Sequence, residues 1–168
     1  MEQAFIIDRA RPEDATQLLA FLKQIGGETD NLTFGAEGLP STAEQEADYL
    51  RRMLESADDM QYVVRCNGTI VADASLHRLT RRMSHRAEIG ISVAKKYWGR
   101  GVGTALMEEM IAFAKQRGIR QLNLQVRSDN ARAIRLYEKF GFQKVCTFPA
   151  FFCVDGVDVD FDFMNLYL

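Results

Sequence analysis

Cysteine, histidine, proline and tryptophan are all scarce here: three, two, three and one in 168 residues. Cys66, Cys146 and Cys153 are scattered and odd in number, which excludes a disulfide framework and a cysteine-based zinc site. His77 and His85 have no Cys or carboxylate partners at metal-ligand spacing, so no metal is expected, and a reducing cytoplasm is the expected setting. No apolar run approaches the roughly 18 residues a membrane span needs. In the opening stretch, Met1 to Ala10, acids and Arg9 interrupt a short apolar run, unlike an export signal. Neither sign of charge dominates: 21 basic against 23 acidic side chains, net -2. The basic excess of a phosphate-backbone binder is missing. Neither nucleic acid nor membrane is therefore expected as a partner.

What is present is a globular core. Hydrophobic residues make up 47% of the chain, and at this length about 70% of the unfolded surface is buried on folding, so one domain over 1–168 is expected. Ala4 to Asp8 reads as a strand, and Pro12 opens a helix with Ala15, Leu18, Leu19, Leu22 and Ile25 on one stripe. Gly26-Gly27 is expected to stop it, leaving a loop from Glu28 to Pro40. Ser41 and Glu44 match the capping-box spacing for a second helix, with Ala47, Leu50, Leu54 and Ala57 on its buried face.

The period then changes. Gln61 to Cys66, Asn67-Gly68 and Thr69 to Leu76 form a hairpin signal, since Asn-Gly suits the positive φ angles of a type I′ turn. Arg86 to Ala94 alternates, with Ala87, Ile89, Ile91 and Val93 on one face and Glu88, Gly90 and Ser92 on the other. Val102, Leu106, Met110, Phe113 and Ala114 recur at helical spacing before Gly118; Gln121 to Val126 is a strand; Asp129-Asn130 caps a helix ending at Gly141. Two late strands, Phe142 to Phe152 and Val157 to Leu168, meet at Asp155-Gly156. The order is βααβββαβαββ, a single α+β (mixed α/β) domain.

The chemistry concentrates in Trp98-Gly99-Arg100-Gly101-Val102-Gly103-Thr104, between a strand and a helix. Glycines let a ligand approach backbone N–H groups, and a helix N-terminus adds unpaired donors and a positive dipole, so a pyrophosphate is well matched. A Walker loop needs Gly-Lys-Ser/Thr, which is absent, and a dinucleotide fingerprint fails at Thr104 and Leu106.

Gly101 and Gly103 do fall in register with the Gln/Arg-x-x-Gly-x-Gly/Ala element of the GCN5-related N-acetyltransferase family. The flanks resemble that family too: Glu88-Ile89-Gly90-Ile91-Ser92-Val93 before the turn, and Asn130 through Tyr137-Glu138-Lys139-Phe140-Gly141-Phe142 after it. The resemblance is strongest from Glu88 to Phe142, with Trp98 standing where the family often has Gln or Arg. It implies a mostly antiparallel mixed sheet splayed between its fourth and fifth strands. It further implies acetyl-CoA bound in that wedge, with its phosphates on Gly99, Arg100, Gly101, Val102, Gly103 and Thr104. The pantetheine arm would lie along Ile91, Ser92 and Val93, whose last N–H would polarise the thioester. Asn130 would bond the arm, or simply cap its helix. Tyr137 would protonate the departing thiolate, or simply fill the core. Lys95, Lys96 and Arg100 would screen the phosphates and a stripe of Arg132, Arg135 and Lys139 would reach a 3′-phosphate, or each would simply belong to a solvated face.

The acceptor must attack as a neutral amine, which at pH 7 costs roughly 4.6 kcal/mol for a lysine-like amine and about 1 for an α-amine. Glu88 is the first candidate base and Asp73 the second. The acceptor side falls by resemblance to Glu28–Pro40 and Phe148–Asp162, whose carboxylates and aromatics suit a cationic amine of a small molecule, amino acid or peptide end. Cys146, the nearest cysteine, reads as core, so transfer is expected to be direct. The competing readings are a non-catalytic acyl-CoA binding or regulatory module and a nucleotide-binding domain on the same turn. Monomer and homodimer both fit.

Overall fold

The computed structural model describes residues 4–168; the first three residues of the stretch read above against an export signal lie outside them. Seven strands form one sheet in the order β1-β2-β3-β4-β5-β7-β6: β1 (Phe5–Arg9), β2 (Met60–Cys66), β3 (Thr69–Arg78), β4 (Arg86–Val93), β5 (Gln121–Arg127), β6 (Gln143–Val154) and β7 (Val157–Tyr167). Every pair is antiparallel except β4 with β5, where helix α3 (Val102–Gln116) supplies the crossover that parallel neighbours require. Helix α4 (Ala131–Lys139) packs with α3 on one face, burying Leu106, Met110, Phe113 and Tyr137 against Leu76, Ala87 and Leu122. Helices α1 (Ala15–Glu28) and α2 (Ala43–Glu55) bury Leu18, Leu22, Ile25 and Leu50 against Val63 and Ile70 on the other. Strand alternation sends adjacent Val63 and Val64 to opposite cores.

Pairing between β4 and β5 stops after three residue pairs, Arg86↔Gln121, Ala87↔Leu122 and Glu88↔Asn123. Beyond them β4 runs on to Val93 and β5 to Arg127 with no partner on their facing edges, so the sheet opens there as the resemblance implied. Both two-residue hairpin turns take the positive φ angles their sequences suggested: Asn67 51° and Gly68 80°, Asp155 49° and Gly156 79°.

Four local readings are corrected. Gly26-Gly27 does not end α1, which continues to Glu28; a Cβ on Gly26 would lie 2.0 Å from the Gly35 carbonyl oxygen, so glycine serves a close pass of the following loop. The capping box of α2 is Thr42 with Gln45, one residue later than read, and its buried stripe is Glu46, Leu50 and Met53, while Leu54 is exposed. Cys146 is exposed rather than core, because β6 is the outermost strand and its first eight residues, Gln143 to Ala150, are exposed on both faces. Leu19 is only half-buried, with Phe21 taking the place in the core expected of it.

Candidate functional site

A cleft of about 420 Å³ opens beside the freed end of β4, between the glycine turn and α4. Gly101 is the N-cap of α3 with φ 81°, a left-handed conformation that costs a side-chain-bearing residue about 1–2 kcal/mol, and a Cβ there would meet nothing within 4 Å. The first N–H groups of α3 therefore face open space, which is the geometry of an anion cradle. Arg132, Arg135 and Lys139, on one stripe of α4, line the same cleft. The Arg132 guanidinium lies 4.9 Å from the centre of the Trp98 ring, a stack that holds this cation beside the turn.

The direction of the β4 edge follows from one hydrogen bond. The Ala94 N–H donates to the Val71 carbonyl (2.9 Å), on the β3 side. Antiparallel alternation then turns the main-chain groups of Ser92 toward β3 and those of Ile91 and Val93 toward the gap. The Val93 carbonyl is already taken, accepting from the Trp98 indole Nε1–H at 2.7 Å. What stays open on that edge is the Val93 N–H and both groups of Ile91. Trp98, where the resembling family often has Gln or Arg, thus ties the strand end to the glycine turn.

Asn130 caps α4, its Oδ1 accepting from the Ala133 N–H at 3.3 Å, and also lines the cleft. Tyr137 lies on the cleft wall, 8% exposed and packed against the Phe142 ring. Burial pushes its phenol up to about 12, so the hydroxyl keeps its proton at neutral pH.

A second cavity, about 730 Å³, lies under α1 and α2. Leu18, Leu22, Phe34 and Leu39 form apolar walls, and Glu46, Tyr49, Gln61, Asp73, Ser75 and Ser92 form a polar floor. Asp73 and Ser92 are cross-strand neighbours, and Ser92 borders both cavities. Asp73 opens in part to the cavity, yet its Oδ1 is shut off from water with no hydrogen-bond partner, while its Oδ2 accepts from Gln61 Nε2 at 2.9 Å. Burial pushes this carboxyl up to about 7, against the opposing pull of the Ser92 and Gln61 side chains. The Tyr49 hydroxyl meets Gln61 Oε1 (3.4 Å) and His77 Nε2 (3.2 Å). Burial first, then the charges of Glu46 and Asp73, holds that phenol protonated well above its usual range.

Of the residues singled out as coenzyme contacts, all but Lys95, Lys96 and Arg100 line the first cleft; Lys96 and Arg100 instead lie over the Tyr97 ring, each at 5.6 Å. Glu88 lines neither cavity: it is exposed, opposite His77 on one side and Asn123 on the other. Asp73 faces the second cavity directly. The loop after α1 divides, with Thr29, Asn31 and Leu32 on the first cleft and Phe34 and Leu39 on the second. Glu28 is engaged elsewhere, accepting from the Lys95 N–H at 2.7 Å. The segment Phe148–Asp162 lines neither cavity; Phe148, Phe151, Phe152 and Phe161 pack on one another, and Asp162 accepts from Ser128 and Thr147 (both 2.8 Å). Sequence reasoning missed Glu46, Tyr49 and Gln61. The signal for Glu46 was a charge on the i, i+4, i+7 stripe with Leu50 and Met53, hidden by reading the stripe one residue late.

The Acetyltransferase (GNAT) family pattern matches residues 28–142. N-alpha-acetyltransferase RimI of Mycobacterium tuberculosis is 36% identical over 64% of this chain and 66% of its own length. L-amino acid N-acetyltransferase AaaT of Escherichia coli is 33% identical over 67% of this chain and 71% of its own. A solved acetyltransferase of GNAT family from Streptococcus pneumoniae superposes with a TM-score of 0.93, 29% identity, and coverage of 98% of this chain and 99% of that one. A Salmonella typhimurium protein solved with acetyl-CoA shares the fold, with a TM-score of 0.82 at 23% identity over 98% of this chain and 94% of that one.

Proposed function

This chain belongs to the Acetyltransferase (GNAT) family and is an acyltransferase, and from that premise we propose that it moves an acetyl group from acetyl-CoA directly to a primary amine. The observation that carries this is the position of Ser92, among the described residues the one shared by a cradle-bearing cleft at the open seam and an acid-floored cavity under α1 and α2. A donor laid along Ile91 and Val93 and an acceptor resting on Asp73 would meet at that point of β4.

The residues present fit the coenzyme. The left-handed Gly101 and the N-terminus of α3 suit a diphosphate, Arg132, Arg135 and Lys139 suit a further phosphate, and the open groups of Ile91 and Val93 suit an amide-bearing arm. The Val93 N–H, fixed and aimed into the gap, suits an oxygen that gains negative charge as the thioester is attacked. Asp73 accepts the proton that the ammonium must lose before attack, and a carboxyl near 7 is well tuned for that at neutral pH. We therefore assign the base to Asp73 ahead of the exposed Glu88. As the C–N bond forms and the C–S bond breaks, Tyr137 donates its hydroxyl to the departing sulfur. With its phenol at about 12 against a thiol near 8.5, it stabilises the leaving thiolate through a hydrogen bond ahead of full proton transfer.

Release of free thiol from acetyl-CoA with a panel of primary amines tests the proposal. Amine-dependent release is the expected result; tight coenzyme binding with no release across the panel would make the chain a binding module instead.

A further inference from the structure

The acid-floored cavity holds an unbalanced charge. Glu46 sits on the buried stripe of α2, 6% exposed, and among the described residues neither a hydrogen bond nor an ion pair reaches its carboxylate. Buried carboxylates are ordinarily matched by a cation or by several donors. Tyr49, one helical turn away, spends its hydroxyl on Gln61 and His77. Asp73, on the facing sheet, keeps one oxygen shut off from water without a hydrogen-bond partner among the described residues while the other accepts from Gln61, and the two negative charges repel each other, Glu46 raising the Asp73 carboxyl. Arg52 lines the cavity but is exposed. The same cavity carries the apolar walls of Leu18, Leu22, Phe34 and Leu39.

We propose that this cavity selects a linear diamine, two ammonium groups joined by a short methylene chain, and that Glu46 is the residue that reads the second charge. The inference rests on the acetyl-transfer reading above and narrows its acceptor. One ammonium meets Asp73, gives up its proton there and is acetylated. The other keeps its charge throughout and stays paired with Glu46, while the methylenes cover the leucine and phenylalanine walls. A monoamine of equal length leaves Glu46 unmatched, and an α-amino acid brings a further carboxylate into a cavity already lined by Glu46, Asp48 and Asp73.

The test compares 1,4-diaminobutane, 1,5-diaminopentane, n-butylamine and a set of α-amino acids as acceptors, reading kcat/KM by thiol release. The expected result is a preference for the diamines over n-butylamine of about thirty-fold or more, carried mainly by KM, that collapses to within about three-fold in Glu46→Gln. Glu46→Asp is expected to restore part of it. A Glu46→Gln variant that loses both amines equally would mark Glu46 as structural and overturn the proposal. So would diamines no better than n-butylamine in the wild type, or α-amino acids preferred and that preference lost in Arg52→Ala. Calorimetric binding of the same amines with CoA present separates this idea from its premise. Diamine binding that depends on Glu46, with no amine acetylated, would uphold the dication site and remove the acetyl transfer. Acetylation of monoamines with no diamine preference would do the reverse.

Discussion

The cleft proposed for the donor takes its form from main chain: a left-handed glycine, a helix N-terminus, and a strand edge whose partner has turned away. The cavity proposed for the acceptor takes its form from side chains drawn from α1, α2, β2, β3 and β4, separated by up to 74 positions between Leu18 and Ser92. Main-chain sites impose residue types at fixed spacing, because glycine alone takes the required φ without steric cost and only a short turn delivers the helix end. Side-chain sites impose nothing on their immediate neighbours in sequence. One half of the site is thus written as a motif and the other is assembled by folding.

The sharpest way to break this contrast is to remove one side chain from the assembled half. Asp73→Asn is expected to lower kcat/KM for high-pKa amines by about 10²–10⁴-fold while leaving coenzyme affinity intact. In the wild type kcat/KM should rise with pH through about 7, as the carboxyl loses its proton, and the variant should lose that limb. Glu88→Gln is the counter-test, and a loss of equal size would return the base to Glu88. Stability carries the same signature with the opposite sign. The unfolded chain releases this proton near 4 and the folded chain only near 7, so stability falls as pH rises between those values, and Asp73→Asn should have the higher Tm at pH 8.

Gly101→Val attacks the main-chain half. A β-branched residue at φ 81° is strained by about 1–2 kcal/mol or more and would project into the phosphate space. Coenzyme affinity, read by calorimetry, should fall about a hundred-fold, roughly the 3 kcal/mol that separates two decades of Kd. Tyr137→Phe should cost less, about ten-fold in kcat and little in KM, the size of one hydrogen bond of about 1.5 kcal/mol to a charged sulfur. Smallest is Trp98→Phe, which keeps a ring for Arg132 but frees the Val93 carbonyl. A few-fold weaker coenzyme binding and a Tm drop of about 2–4 °C follow from losing a hydrogen bond of about 1 kcal/mol.

The pattern of what could be read in advance follows the same division. The hairpin turns at Asn67-Gly68 and Asp155-Gly156 and the cap at Asn130 were legible because local stereochemistry decides them. Gly26-Gly27 misled because the carbonyl that needs Gly26 bare arrives from Gly35, a contact no local pattern encodes. The acids and aromatics of Phe148–Asp162 looked like a recognition surface, yet the rings satisfy one another and Asp162 binds Ser128 and Thr147. Glu46 was lost to a one-residue error of phase, since on a helix a 100° slip is enough to move a buried carboxylate to the solvent side.

The brevity of the β4–β5 pairing has a thermodynamic consequence. Two half-sheets joined by three residue pairs depend for their coupling on the helices packed across the seam, so among the amides that face the seam slow exchange should end past Glu88 and Asn123, while those bonded to β3 and β7 stay protected. A molecule threaded into the seam with hydrogen bonds to the open strand would extend the ladder that the chain itself leaves short. Coenzyme occupancy should then protect Ile91 and Val93 and make the two halves unfold as one unit.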